Sequence, residues 1–154
     1  MNLSTHLNTQ HVEQENITGL EYQLQQKPKP ETLGPKSTDR CLIGDYWEYH
    51  VILVALKKGA EAYKNVCCTG PIDIVLKIEG EFVPIDVKQK AWSYAKGIWL
   101  APKAANKAGI VWGVAVNPAT KQISWYYVSG GNPTWNRPSS IFQCPVGLEG
   151  FWDD

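Results

Sequence analysis

The sequence predicts a mixed α/β (α+β) fold, and three patterns along the chain support this prediction. An apolar run from Tyr46 to Lys58 has the composition of a buried helix. Two β-hairpin patterns follow it, one from Ile72 to Gln89 and one from Gly109 to Val128. With 154 residues, 44% of them apolar, the chain is long enough for one core and too short for several domains.

Cysteine usage and hydropathy exclude several classes of protein. The four cysteines include no CxxC pair and there is no histidine cluster, which argues against a disulfide framework or a structural zinc site. No apolar run approaches the roughly 18 residues of a membrane-spanning helix. The stretch from Met1 to Gln10 lacks the basic and apolar parts of a secretory leader. We therefore expect a soluble cytoplasmic protein with no membrane partner.

The first forty residues differ in character from the rest. Residues 1–40 contain nine apolar residues, and Lys27-Pro28-Lys29-Pro30 interrupts any regular element. A short helix from Val12 to Leu24 would have one apolar face but is too small to bury a core. We predict a polar N-terminal arm and linker over residues 1–40 and a folded domain over residues 41–154.

The predicted helix from Tyr46 to Lys58 begins behind Gly44-Asp45 and ends in two lysines before a glycine. Its composition indicates burial on most sides. Glu48 lies four residues before Ile52 and seven before Ala55, so it shares an apolar face with them. A carboxylate on such a face needs a partner.

A short strand from Ala60 to Val66 precedes the first hairpin. The hairpin strands, Ile72 to Ile78 and Glu81 to Gln89, are joined by Glu79-Gly80. A two-residue loop fixes the register and gives one continuous aliphatic face, whose predicted pairs are Ile78 with Glu81, Leu76 with Val83, Ile74 with Ile85 and Ile72 with Val87.

The same register places Asp73 directly opposite Asp86, with Lys88 two residues further along. Opposed residues have Cβ atoms about 4.5 to 5.5 Å apart, and like charges at that distance are destabilising. A divalent cation, a shared proton or Lys88 alone would each relieve the repulsion. A register slip would remove the pairing, and Pro84 weakens the ladder, but a slip would also expose the aliphatic face.

Three motifs in this part of the chain resemble those of the PD-(D/E)XK nuclease superfamily. They are a helical Glu, a hairpin Asp and an acid-x-Lys triplet, in the order Gly44-Asp45-Tyr46-Trp47-Glu48, Pro71-Ile72-Asp73 and Asp86-Val87-Lys88. The chain looks most like the small homing endonucleases of group I introns, and next like the archaeal Holliday-junction resolvases. The homing enzymes often carry Gln where Asp86 stands here, and Ile72 separates Pro71 from Asp73.

The resemblance implies a restriction-endonuclease-like core, in which helices flank a mixed central β-sheet, and Mg²⁺-dependent hydrolysis of DNA. It implies Glu48, Asp73, Asp86 and Lys88 as catalytic residues. Glu48, Asp73, Asp86 and the Val87 carbonyl would hold Mg²⁺, for which Mn²⁺ can substitute, because hard cations prefer oxygen ligands. Lys88 would orient the attacking water and contact the scissile phosphate. The alternative role of Lys88 is to neutralise the aspartate pair.

The stretch from Phe82 to Leu148 carries seven basic residues and one acidic residue, a local charge of +6 in a chain of zero net charge. Basic residues interleaved with aromatic ones are typical of surfaces that contact DNA phosphates. The predicted DNA-binding residues are Lys90, Lys96, Lys103, Lys107 and Arg137. A solvated lysine surface is the alternative, and most of the tryptophans favour core packing or a subunit interface.

We predict an endonuclease that makes double-strand cuts of a homing or restriction-like kind in double-stranded or branched DNA. One such site cuts one strand, so we expect a homodimer or higher homo-oligomer. A Holliday-junction resolvase would use the same residues. A catalytically inactive DNA-binding or assembly module and a Trp-rich β domain that binds carbohydrate or protein are alternatives from other classes. The expected location is the cytoplasm of a bacterial or phage-infected host cell.

Overall fold

The computed structural model describes residues 26–67, 70–100, 112–128, 144–145 and 147–154. These residues form two compact units. The smaller unit consists of residues 26–29 with Trp92–Ile98, and the larger one contains the described residues of Pro30–Ala91 and Trp99–Asp154. The predicted helix from Val12 to Leu24 lies outside the described residues, and the predicted division of the chain after residue 40 stays a prediction.

The helix of the larger unit, α1, spans Arg40–Lys57 and therefore begins before the predicted Tyr46. Its start is set by Asp39, whose carboxylate accepts from the backbone N–H of Cys41 at 2.9 Å and of Leu42 at 3.4 Å. This cap satisfies donors that the first helical turn leaves unpaired. Gly44 thus lies inside the helix and not before it. No helix in the described part of the chain is long and apolar enough to cross a bilayer.

The prediction that this helix is buried on most sides is wrong. One stripe is buried, formed by Trp47, Val51 and Ala55 at a spacing of four residues. Four large apolar side chains on the rest of the helix are exposed: Leu42, Tyr49, Leu53 and Leu56. Apolar composition therefore indicated the presence of the helix but not which side packs against the sheet.

Seven strands follow α1 in the described residues. They are β1 (Glu61–Lys64), β2 (Ile74–Ile78), β3 (Glu81–Gln89), β4 (Ala91–Ser93), β5 (Ile98–Leu100), β6 (Trp112–Val116) and β7 (Ile123–Tyr127). Five of them form the central sheet in the order β1-β2-β3-β6-β7. β3 and β6 are parallel and the other neighbours are antiparallel. The predicted α/β class with a mixed central sheet is confirmed.

The turn between β2 and β3 explains their register. Glu79 and Gly80 have φ values of 51° and 86°. Positive φ at both central residues is typical of a type I′ turn, whose twist matches that of the two strands it joins. The observed partners Ile78↔Glu81, Leu76↔Val83 and Ile74↔Ile85 are those predicted from the sequence. Their aliphatic side chains pack with the buried stripe of α1 in the main core.

The second predicted hairpin is also present in the described residues. β6 and β7 pair from Trp112↔Tyr127 to Val116↔Ile123, and β6 extends the sheet by pairing with β3. The predicted first residues of this hairpin, 109–111, lie outside the described residues. The main core includes three tryptophans, Trp47, Trp125 and Trp152, which confirms core packing for these three.

The smaller unit is held by contacts between an extended segment and a hairpin turn. β4 and β5 form a separate two-stranded sheet. Within the unit, the N–H of Lys27 donates to the carbonyl of Tyr94 at 3.1 Å, and the indole N–H of Trp92 donates to the carbonyl of Lys27 at 3.2 Å.

Candidate active site

The first candidate residue, Asp73, lies just before β2, and its side chain accepts a hydrogen bond from the backbone of β3. The hairpin ladder ends at Ile74↔Ile85, so the regular pairing of Asp73 with Asp86 that the sequence predicted is not part of the ladder. The N–H of Asp73 donates to the carbonyl of Ile85 at 3.1 Å instead. Its carboxylate oxygen Oδ2 accepts from the N–H of Val87 at 2.8 Å. The Asp73 side chain thus takes the place of the backbone acceptor that a longer β2 would supply.

The irregular backbone at Asp73 changes the position of Ile72. The sequence predicted Ile72 on the aliphatic face opposite Val87. Instead, Ile72 packs with a small cluster formed by Ala115, Tyr126 and Val128, whereas Val87 belongs to the main core. Because side chains alternate between the two faces of a strand, one irregular residue is enough to move a neighbour to the other face.

Asp86 is the one charged residue classed as buried among the described residues, with 1% of its surface exposed. Both of its carboxylate oxygens are bonded: Oδ1 accepts from Lys88 Nζ at 2.8 Å and Oδ2 accepts from the hydroxyl of Tyr126 at 2.8 Å. Lys88 Nζ also lies 3.4 Å from the carbonyl of Val87. Burial, followed by the charge of Asp86, raises the pKa of Tyr126, so this hydroxyl keeps its proton and donates.

The two aspartates influence each other electrostatically although they are not ladder partners. Burial is the largest cause of a raised pKa at Asp73, and the negative charges of Asp86 and Glu48 raise it further. The hydrogen bond from the Val87 N–H and the positive charge of Lys88 act in the opposite direction. The structure therefore brings the other three predicted catalytic residues, Glu48, Asp86 and Lys88, within electrostatic range of Asp73.

Glu48 has a direct partner that sequence reasoning missed. Its carboxylate oxygen lies 2.6 Å from Nζ of Lys64, the last residue of β1, and the same Nζ lies 3.6 Å from Asp45. The hydrogen bond to Glu48 is the largest cause of a raised pKa at Lys64. A partner for a carboxylate on this helix was expected, but its identity depends on how α1 crosses β1, which no local pattern encodes.

Glu48, Lys64 and Asp73 line one cavity of about 510 Å³ in the larger unit. Asn65 lines it too and orders the segment leading to Asp73: its amide nitrogen donates to the carbonyl of Ile72 at 2.9 Å, and its backbone N–H donates to the carbonyl of Asp73 at 2.9 Å. The candidate site therefore has an open side, formed by Glu48 and Asp73, and a buried side, formed by Asp86.

The donor set at this site suits a hard cation. In the part of the chain that the structure describes, no three His, Cys, Asp or Glu side chains converge closely enough to hold a metal, and Glu48 is engaged with Lys64. Two carboxylates with one carbonyl nevertheless suit Mg²⁺, which is commonly bound through one or two carboxylates and retains water ligands. Asp73, Asp86 and the Val87 carbonyl are the residues that would hold it.

The structure describes two of the five predicted DNA-binding residues, Lys90 and Lys96, and neither lines the cavity that contains Asp73. Lys90 lines a different cavity of about 500 Å³, together with Val54 and Lys121. Lys96 belongs to the smaller unit, where its N–H donates to the Ser93 hydroxyl at 3.2 Å. The three others, Lys103, Lys107 and Arg137, lie outside the described residues.

Comparisons with known proteins give a limited result. No family model and no curated protein matches the sequence. A solved structure described as a bacterial homing endonuclease, I-Ssp6803I, is similar with a TM-score of 0.47 and 23% sequence identity. The match covers 55% of this chain and 62% of that protein, so the chain spans less than two thirds of its length. Similarity at this level means that part of the two backbones can be superposed, and it assigns no activity to this chain.

Proposed function

We propose that the chain is a metal-dependent endonuclease that hydrolyses DNA phosphodiester bonds with Asp73, Asp86 and Lys88. The observation that carries the proposal is the buried Asp86 bonded to Lys88 next to a second carboxylate, Asp73, whose charge the environment disfavours. Clustered carboxylates destabilise a fold, and carboxylates with a perturbed pKa occur most often at functional sites. Two of the three motifs that resemble PD-(D/E)XK nucleases, Pro71-Ile72-Asp73 and Asp86-Val87-Lys88, contribute these same residues.

Phosphodiester hydrolysis requires a positioned water and stabilisation of charge on the phosphoryl and leaving oxygens. Lys88 suits the first task, because its Nζ is held by Asp86 Oδ1 and the Val87 carbonyl while 40% of the side chain remains exposed. Mg²⁺ held by Asp73, Asp86 and the Val87 carbonyl would supply the charge stabilisation. Asp73 keeps its other oxygen, Oδ1, available for this, because the bond from the Val87 N–H engages Oδ2.

Glu48 and Lys64 form the open rim of the same site. Their ion pair is 2.6 Å long and partly buried, which leaves Glu48 ordered at the edge of the cavity that also contains Asp73. Glu48 would act on the cation through water and not as a direct ligand. Lys64 adds a second positive group beside Asp73 and suits a DNA phosphate entering the cavity.

Cleavage of supercoiled plasmid in Mg²⁺ tests the proposal, with a four-way junction as a second substrate. Asp73→Ala and Lys88→Ala should each lower the cleavage rate by at least 100-fold, since each removes a group that acts on the reacting phosphate. Lys77→Ala is the matched control: Lys77 lies on β2, pairs with Glu61 at 3.2 Å and does not line the cavity.

Full activity in both site variants would contradict the proposal, and so would equal losses in the Lys77 control. DNA binding measured in parallel should be retained by Asp73→Ala, because removing a carboxylate does not remove a phosphate contact. Cutting of plasmid into linear product would favour homing or restriction-like cleavage by an oligomer. Cutting confined to the junction would favour a resolvase.

A further inference from the structure

We infer that Tyr126 is a positioning residue for the proposed nuclease site, and that Gly113 is required for it to reach that site. This inference rests on the proposed function, because it concerns how Asp86 is held for a cation. Tyr126 lies on β7, two strands away from Asp86, and none of the motifs found in the sequence includes it.

Asp86, Gly113 and Tyr126 lie in one row across three strands. Asp86 on β3 pairs with Gly113 on β6, and Gly113 pairs with Tyr126 on β7. Residues in such a row project from the same face of a sheet. A tyrosine is long enough to reach across the intervening strand only if the residue between leaves its space free. The hydroxyl of Tyr126 does reach Asp86, at 2.8 Å.

Gly113 leaves that space free. A Cβ atom added at Gly113 would lie closer to ring atoms and the hydroxyl oxygen of Tyr126 than real Cβ contacts allow. The Tyr126 ring therefore lies over the β6 backbone, an arrangement that resembles the covering of a strand glycine by a neighbouring aromatic ring. The ring is buried with Ala115, Val128 and the partly buried Ile72, so it has little freedom to turn away.

The consequence is a fixed orientation for the buried carboxylate. Tyr126 binds Oδ2 and Lys88 binds Oδ1, which fixes the plane of the Asp86 carboxylate from two sides. Each carboxylate oxygen has two lone pairs and can accept from more than one partner. Partners that orient a metal ligand in this way commonly contribute 10- to 100-fold to metal affinity.

Titration of the full-length protein with Mn²⁺, followed by calorimetry, tests the inference without relying on activity. Tyr126→Phe keeps the ring over Gly113 and removes only the hydroxyl, so near-UV circular dichroism should be unchanged. We expect Mn²⁺ affinity about 10-fold weaker than in the wild type. Tyr63→Phe is the matched control, because Tyr63 makes the same kind of bond, 2.7 Å to the exposed Glu61, away from the cavity.

A second variant tests the inference without removing the Tyr126 hydroxyl. Gly113→Ala leaves the hydroxyl in the chain but displaces the ring, so it should weaken Mn²⁺ binding at least as much as Tyr126→Phe.

Unchanged affinity in Tyr126→Phe, or equal weakening in Tyr63→Phe, would overturn the inference while leaving the nuclease proposal intact, provided that the wild type binds Mn²⁺ and cuts DNA. A wild type that does neither would overturn both.

Discussion

At the scale of single residues, the structure places two carboxylates, Asp73 and Asp86, in positions where burial disfavours their charged forms. Asp86 is almost fully buried and survives there because Lys88 and Tyr126 bond both of its oxygens. Asp73 has a raised pKa, chiefly from burial, although the Val87 N–H stabilises its charged form. Buried charges without full compensation reduce stability, and a bound cation would reverse that effect.

We expect Asp73→Asn to stabilise the metal-free protein at neutral pH. A raised pKa in the folded state means that ionised Asp73 destabilises the fold, so the wild type loses stability as the pH rises through that pKa. Asparagine keeps an oxygen to accept from the Val87 N–H and carries no charge. Thermal unfolding in EDTA at a series of pH values measures the effect.

The melting temperature of Asp73→Asn should exceed that of the wild type by a few degrees at pH 7. The difference should vanish as the pH falls to about 4, the ordinary range of the aspartate pKa. Excess Mg²⁺ should stabilise the wild type and not the variant. A variant that is less stable than the wild type at every pH would show that the charge of Asp73 is fully compensated in the folded state.

At the scale of the elements, local signals decide where α1 begins and how β2 and β3 pair. Asp39 caps α1 through its carboxylate, and Glu79 with Gly80 closes the hairpin with positive φ at both residues. Each device belongs to a few adjacent residues, so each can be tested by one substitution without disturbing the core.

The same change, glycine to alanine, should have opposite effects at two positions. Gly80 has φ of 86°, so Gly80→Ala forces a side chain into the left-handed region and should cost about 1 kcal/mol. Gly44 lies within α1 with open space around it, and Gly44→Ala should stabilise the protein by about 0.5 to 1 kcal/mol. Equilibrium denaturation of both variants checks the pair. Effects of the same sign would contradict the assigned helix and turn.

Local sequence patterns predicted much of the fold and part of the site. The Glu79-Gly80 turn and the alternating aliphatic residues gave the correct pairs from Ile78↔Glu81 to Ile74↔Ile85. Extending that register to Asp73 and Ile72 failed, because the carboxylate of Asp73 bonds the Val87 N–H and the ladder stops. A side chain that competes with the backbone for a donor breaks the regular pattern, and periodicity does not reveal it.

Contacts between distant elements were beyond local patterns. Lys64 reaches Glu48 because α1 crosses β1, and Tyr126 reaches Asp86 because β6 inserts between β3 and β7 in parallel with β3. The sequence predicted the second hairpin but not which strand it would join. If the strand order had been known, the pairing would have placed Asp86, Gly113 and Tyr126 in one row. The glycine in the middle would then have indicated that Tyr126 can reach Asp86.

At the scale of the whole molecule, the four candidate catalytic residues all belong to the larger unit. Glu48 lies on α1, Asp73 lies directly before β2, and Asp86 and Lys88 lie on β3. The basic residues predicted to bind DNA are distributed differently, since Lys90 lines another cavity and Lys96 belongs to the smaller unit. Metal binding therefore tests the candidate site most directly, because all of its proposed ligands belong to one unit.

Anomalous diffraction from crystals grown with Mn²⁺ tests the central proposal directly. We predict one strong anomalous peak within about 2.3 Å of a carboxylate oxygen of Asp73, a carboxylate oxygen of Asp86 and the carbonyl oxygen of Val87. Crystals of Asp86→Asn grown in the same way should lack that peak. A peak located only at Glu48 or elsewhere on the protein, or no peak at saturating Mn²⁺, would contradict the account.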